Sequence, residues 1–151
     1  MDQEGREAFE GRERVRDTME MRAPDRAAPE VEAVVQRVIG LAIKVHRVVG
    51  PGLLEHVYED CMALELTRSG LRFDRQVSLA LTYEGNRSDR AYKAGLVVEN
   101  AVILEIKSVE AILPVHKSQI LTYSRLSGCH IGLLLNFNGK RLKDGLYRFI
   151  L

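Results

Sequence analysis

The chain has 151 residues, 46% of them hydrophobic, which supplies one buried core and leaves little for a second. A formal net charge of +1 excludes the dense Lys/Arg composition that argues nucleic-acid binding by itself, although residues 1–30 hold 6 basic and 9 acidic groups and residues 31–151 hold 16 and 12. The later part is therefore mildly basic and compatible with a phosphate backbone as partner. Two cysteines, Cys61 and Cys129, with no apolar signal segment ahead of them, give no disulfide framework and no CxxC zinc site, and point to a reducing cytoplasm. No run approaches the roughly 18 apolar residues of a membrane span, so a soluble protein is expected.

Residues 1–29 mix charges, hold few large apolar side chains and end near two prolines, which reads as a mobile leader; a short helix over Arg12 to Met21 would have only a thin apolar face. From Glu30 the pattern changes. Val31, Val34, Val35, Val38, Ile39, Ala42, Ile43, Val45 and Val49 recur at helical spacing up to Gly50-Pro51-Gly52. A second helix is predicted from about Leu53 to Ser69, with Gly70 as its stop. Cys61 lies inside that helical pattern and Cys129 just before a strand, where both serve as small core hydrophobes.

Gln76 to Tyr83 then alternates as a strand, and Glu84-Gly85-Asn86 supplies a turn. Ala91 to Val98 and Val102 to Lys107 predict a hairpin joined around Glu99-Asn100-Ala101, since asparagine tolerates the left-handed backbone of a tight connection. Pro114 opens a helix that runs to about Ser127, Gly128 closes it, and Ile131 to Asn136 reads as a buried strand, with Tyr147 to Leu151 as an added edge strand. The order helix, helix, strand, strand, strand, helix, strand describes an α/β domain over residues 30–151. Its strand–helix–strand step favours a right-handed crossover onto a mixed sheet.

Glu105 and Lys107 interrupt the apolar strand AVILEIK, and strand periodicity aims both at one face. Taken alone, such a pair decorates the solvated side of a sheet. In a hairpin centred on Asn100, however, position 95 lies opposite Glu105 and position 93 opposite Lys107, so Gly95 faces the carboxylate. Two acidic groups so placed hold a hard divalent cation in metal-dependent nucleases, and a nearby lysine stabilises developing charge. Here one half of that clamp is glycine.

The segment HRVVGPGLLEHVYEDCMALELTRSGL resembles the signature of the GxxExxY proteins, with Gly52, Glu55 and Tyr58 at its named positions. AYKAGLVVENAVILEIKSVE is similar to that family's central hairpin, in which an Asp precedes the E-x-K by ten positions, and PVHKSQILTYSRLSGCHIGLLLNF to its following helix and strand. The resemblance covers about residues 31–138. It implies a restriction-endonuclease-like core of the PD-(D/E)xK kind, acting on nucleic acid with Mg²⁺ or Mn²⁺. Its site residues would be Glu55, Glu105 and Lys107, with Glu55 and Glu105 as metal ligands and Gly95 at the position expected to be Asp. Gln119 and Tyr123 would add a QxxxY pattern, and as i and i+4 they share a helical face.

Each residue also has a plainer role. Glu55 suits the first turn of a helix, where the dipole favours a carboxylate, Tyr123 suits a core aromatic with a wet hydroxyl, and a buried Gln119 would need partners for its amide. His116 fits the first turn of its helix, and His46 and His56, flanking the GPG turn, read as structural. Asp89 and Glu99 share the parity of Gly95, but Asp89 is about 20 Å away along an extended strand and Glu99 is at the turn, so neither replaces the missing acid. Two readings follow: a nuclease-fold protein that acts on or binds nucleic acid with its catalysis weakened or lost, or a non-catalytic module for nucleic acid or protein. The apolar stripe of the first helix either completes the core or pairs two copies into a homodimer.

Overall fold

The computed structural model describes residues 28–150. The leader expected over residues 1–29, its short helix, and Leu151 at the end of the edge strand fall wholly or largely outside these residues. Pro29 starts helix α1 (Pro29–Val49), where proline's fixed φ and missing N–H suit a first turn. Glu30 and Glu32 lie in its first turn and His46 and Arg47 in its last, complementing the helix dipole. Helix α2 (Glu55–Arg68) follows the GPG turn.

Five strands come next, β1 (Phe73–Tyr83), β2 (Asn86–Val98), β3 (Val102–Lys107), β4 (Ile131–Asn136) and β5 (Leu146–Ile150), with helix α3 (Pro114–Ser127) between β3 and β4. They form one sheet in the order β1-β2-β3-β4-β5. Strands β3 and β4 are parallel across the α3 crossover, and every other neighbouring pair is antiparallel. The expected α/β fold with a mixed central sheet flanked by helices is thus the observed one.

Strand β2 begins at Asn86 rather than Ala91, because Glu84 and Gly85, both with positive φ, make a two-residue turn that pairs Tyr83 with Asn86 directly. A 3-10 turn at Leu142–Gly145 leads into β5.

The sheet is covered on both faces. Val35, Val38, Ala42 and Val45 of α1 and Tyr58, Met62 and Leu66 of α2 pack with Leu104, Ile106, Leu133 and Leu135 in one cluster. Ile120 and Tyr123 of α3 pack with Ile103, Val97 and Leu134 in the other. Val35, Val38, Ala42 and Val45 of the α1 stripe thus go into the core of their own chain, while Val31, Val34, Ile39 and Ile43 are partly buried against it and Val49 is exposed. Burying a side chain of this size stabilises by about 1.5–3 kcal/mol, so the two layers set the fold. Glu32 at the start of α1 receives both terminal nitrogens of Arg148 from β5 at 2.7 and 2.5 Å, which holds its carboxyl down at about 2. Cys61 and Cys129 are free thiols, and among the described residues no helix is long and apolar enough to cross a membrane.

Candidate functional site

The GPG turn and α2 are fixed by Tyr58. Its hydroxyl donates to the Gly50 carbonyl at 2.6 Å and accepts the Leu53 N–H at 3.1 Å, while its ring stacks on Phe137 with centroids 4.5 Å apart. Gly52 takes φ +92°, a backbone conformation that side chains disfavour. The Gly52, Glu55 and Tyr58 spacing therefore has a mechanical reading: glycine makes the turn, tyrosine pins it, and Glu55 opens the helix between them. Asn136 holds the segment after β3, accepting the Val109 N–H at 3.1 Å and donating to the Val109 carbonyl at 2.9 Å. His46 sits under the following turn with Nε2 at 3.1 Å from the Phe137 carbonyl and 2.9 Å from that of Gly139. His116 accepts the Leu113 N–H on Nδ1 at 3.0 Å, which caps α3, and His56 is exposed.

The β2–β3 ladder follows the predicted register but closes over only three residue pairs, Val98↔Val102, Val97↔Ile103 and Leu96↔Leu104. Beyond Leu96 the strands part, and a polar pocket of about 200 Å³ opens there. Glu105 and Lys107 of β3, Gly95 and Lys93 of β2, and Tyr123 of α3 line it. Glu55 and Glu59, one turn apart on α2, complete it together with Gln76 of β1. Five of the six expected positions, counting Gly95, thus converge. Gln119 does not: it is half-buried on α3 and lies outside the pocket lining.

Glu105 is the buried centre of this pocket, 8% exposed. Its Oε1 accepts the Gly95 N–H at 2.6 Å, so a main-chain donor meets the carboxylate where a second acid was expected. A Cβ at Gly95 would sit 3.3 Å from the Leu104 carbonyl oxygen and 3.4 Å from Glu105 Oε1. Burial pushes the Glu105 carboxyl up to about 7; the Gly95 hydrogen bond and the Lys107 charge oppose this, and the Glu59 and Glu55 charges add to it. Tyr123 is also raised above the usual phenol range, by burial first and then by Glu105 and Tyr92, so its hydroxyl stays a donor at neutral pH. Its ring meets that of Tyr92 at 5.8 Å.

Glu55 is exposed and accepts the Ser108 N–H at 3.5 Å, the outer limit of a hydrogen bond. Glu59 is committed: Arg75 donates to one oxygen at 3.2 Å and Gln76 to the other at 2.9 Å. By contrast, Lys93 and Lys107 make no ion pair among the described residues. Neither alternative acid substitutes at position 95. Asp89 pairs with Arg87, and Glu99 at the turn binds Arg72 through its N–H at 2.8 Å and its guanidinium at 3.0 Å.

A family profile described as the PD-(D/E)XK nuclease superfamily matches residues 32–149. The chain belongs to the PD-(D/E)XK nuclease superfamily. Neither the search of curated proteins nor that of solved structures returned a match. Nucleases of the PD-(D/E)XK superfamily typically use divalent metals. The donor set here falls short of such a site. Gly95 brings no side-chain oxygen, Glu105 Oε1 is engaged by an N–H, and among the described residues no group of three His, Cys, Asp or Glu side chains is placed to hold a metal ion.

The sequence reading passed over Glu59 and Gln76. The spacing of Glu55 and Glu59 at i and i+4 on one helix face was the available signal for the first. Nothing in the sequence marks Gln76, whose place depends on how two strands deform.

Proposed function

We propose that this superfamily member binds nucleic acid at the Glu105 pocket and retains at most a weak phosphodiesterase activity, its cleavage chemistry disabled at position 95. The observation that carries the reading is the 2.6 Å hydrogen bond from the Gly95 N–H to Glu105, which occupies the carboxylate where the fold would otherwise face it with a second acid. Binding is supported by Lys93 and Lys107, two cations that make no ion pair among the described residues, beside a Tyr123 hydroxyl held above the usual phenol range. Together they offer N–H and O–H donors to phosphate oxygens, the contacts that position nucleic acid without reading its sequence. The ligand set for Mg²⁺ or Mn²⁺ is incomplete, since position 95 offers no side-chain oxygen and Glu105 Oε1 is engaged by a main-chain N–H.

The test compares the wild-type chain with Gly95→Asp, and with Gly95→Asp combined with Glu105→Ala, for DNA binding and for cleavage of plasmid and single-stranded DNA with Mg²⁺ or Mn²⁺. A side chain at position 95 fits tightly: its φ is not in the left-handed region, but its Cβ meets the Leu104 carbonyl oxygen at 3.3 Å, which must give by a few tenths of an ångström, and the flexible end of Glu105 at 3.4 Å. Gly95→Asp is expected to raise cleavage at least about tenfold and to be stabilised against heat by Mn²⁺, and removal of Glu105 abolishes both gains. A wild-type chain that binds neither DNA nor RNA overturns the reading. Binding without any cleavage by Gly95→Asp removes the residual phosphodiesterase from it and leaves a binding module.

A further inference from the structure

Gln76 lies in the interior of β1, yet its φ is +50°. The other described non-glycine residues with positive φ are Glu84, Glu99 and Asn100, all at the two tight hairpin turns. Gln76 has no turn to make. It also drops out of the β1–β2 ladder, where Arg75 pairs with Leu96 and Val77 with Ala94, so the residue across from it is Gly95.

The two strands change face together at this point. Phe73 packs on the α1–α2 side, whereas Val77 and Leu79, of the same parity, pack on the α3 side. On β2, Leu96 and Val98 pack on the first side and Ala94 on the second. Regular strands keep such residues on one face. The reversal brings the Gln76 side chain to the pocket wall, where its Nε2 donates to Glu59. Arg75 neutralises that same Glu59, so the amide is held by an ion pair and not by a free anion. The second amide hydrogen and Oε1 of Gln76 have no partner among the described residues.

From this geometry we infer that Gln76 is a substrate-contacting residue of the pocket: its amide, aimed by Glu59, bonds to the nucleic-acid backbone in the pocket beside Glu105. The inference rests on the proposed nucleic-acid binding and adds to it a residue, a fixed orientation and a reason for the deformed strands. Residues held at such backbone angles cluster at active sites and ligand clamps.

Fluorescence anisotropy with labelled single-stranded DNA, duplex DNA and RNA, alongside thermal unfolding, tests it with Gln76→Gly and Gln76→Asn. Glycine accepts φ +50° freely, so Gln76→Gly is expected to melt at or above the wild-type temperature. It is also expected to lose affinity by about tenfold, the size of one hydrogen bond to a charged oxygen. Asparagine keeps an amide and tolerates the left-handed backbone, so Gln76→Asn recovers part of the affinity. Folded Gln76→Gly and Gln76→Asn proteins that both bind as the wild type does would reduce Gln76 to a strand irregularity, overturning the inference while leaving the proposed function standing. A wild-type protein that binds none of the three probes ends both.

Discussion

Around Phe137 the polar groups are fully partnered, whereas around Glu105 several have, among the described residues, one partner or none. At Phe137 the Tyr58 hydroxyl both donates and accepts, His46 Nε2 lies against two carbonyls, Asn136 clamps both polar groups of Val109, and the Phe137 N–H reaches the Lys107 carbonyl at 2.9 Å. At Glu105, one strand over, a buried carboxyl has a single hydrogen bond, two lysines have no ion pair among the described residues, and Gln76 holds an unfavourable backbone angle. Satisfied polar groups rigidify a fold, whereas under-satisfied ones are kept at a cost in stability. The first cluster is thus scaffold and the second is the part available for a ligand.

This contrast is broken most strongly at Phe137, which is fully buried. Phe137→Ala removes the stacking partner of Tyr58 and opens a cavity, and should cost about 3–5 kcal/mol of stability, read by urea denaturation. A loss below about 1 kcal/mol would show that the scaffold does not depend on this ring.

The opposite sign is expected at Glu105. Its folded carboxyl titrates near 7 against an ordinary 4.5, so the folded chain holds its proton more tightly than the unfolded one. Stability therefore falls as pH rises from about 4.5 to 7, and the cost, at most about 3 kcal/mol, is complete above that range. Glu105→Gln keeps an oxygen for the Gly95 N–H and carries no charge. It should be more stable than the wild type at pH 8 by up to that amount, with the difference vanishing near pH 4. Equal pH dependence of the two proteins would show that Glu105 is not a buried titrating group.

The smallest effect sharpens the comparison. Tyr58→Phe keeps the stacked ring but leaves the Gly50 carbonyl and the Leu53 N–H to find water, for a loss of about 1–2 kcal/mol in the same denaturation experiment. No change would mean that the GPG turn holds without its pin.

Much of this is legible in the sequence. The valine stripe of α1, the proline and glycine bounding α3, and the asparagine turn between β2 and β3 gave the element order and the register that sets Gly95 against Glu105. The early start of β2 was missed because Glu84-Gly85 makes a shorter turn than its three polar residues suggest. Gln119 was expected in the site from its spacing with Tyr123, but a shared helical face does not decide how deep into a pocket each side chain reaches.

The sequence by itself determined the α/β class and the order of the elements, because periodicity and turn chemistry are local and are written in neighbouring residues. Only the tertiary structure decided where β2 leaves β3, that Glu59 is held by Arg75, and that Gln76 turns into the pocket. Those features depend on contacts between segments far apart in the chain, and on a strand deformation that no single residue type announces.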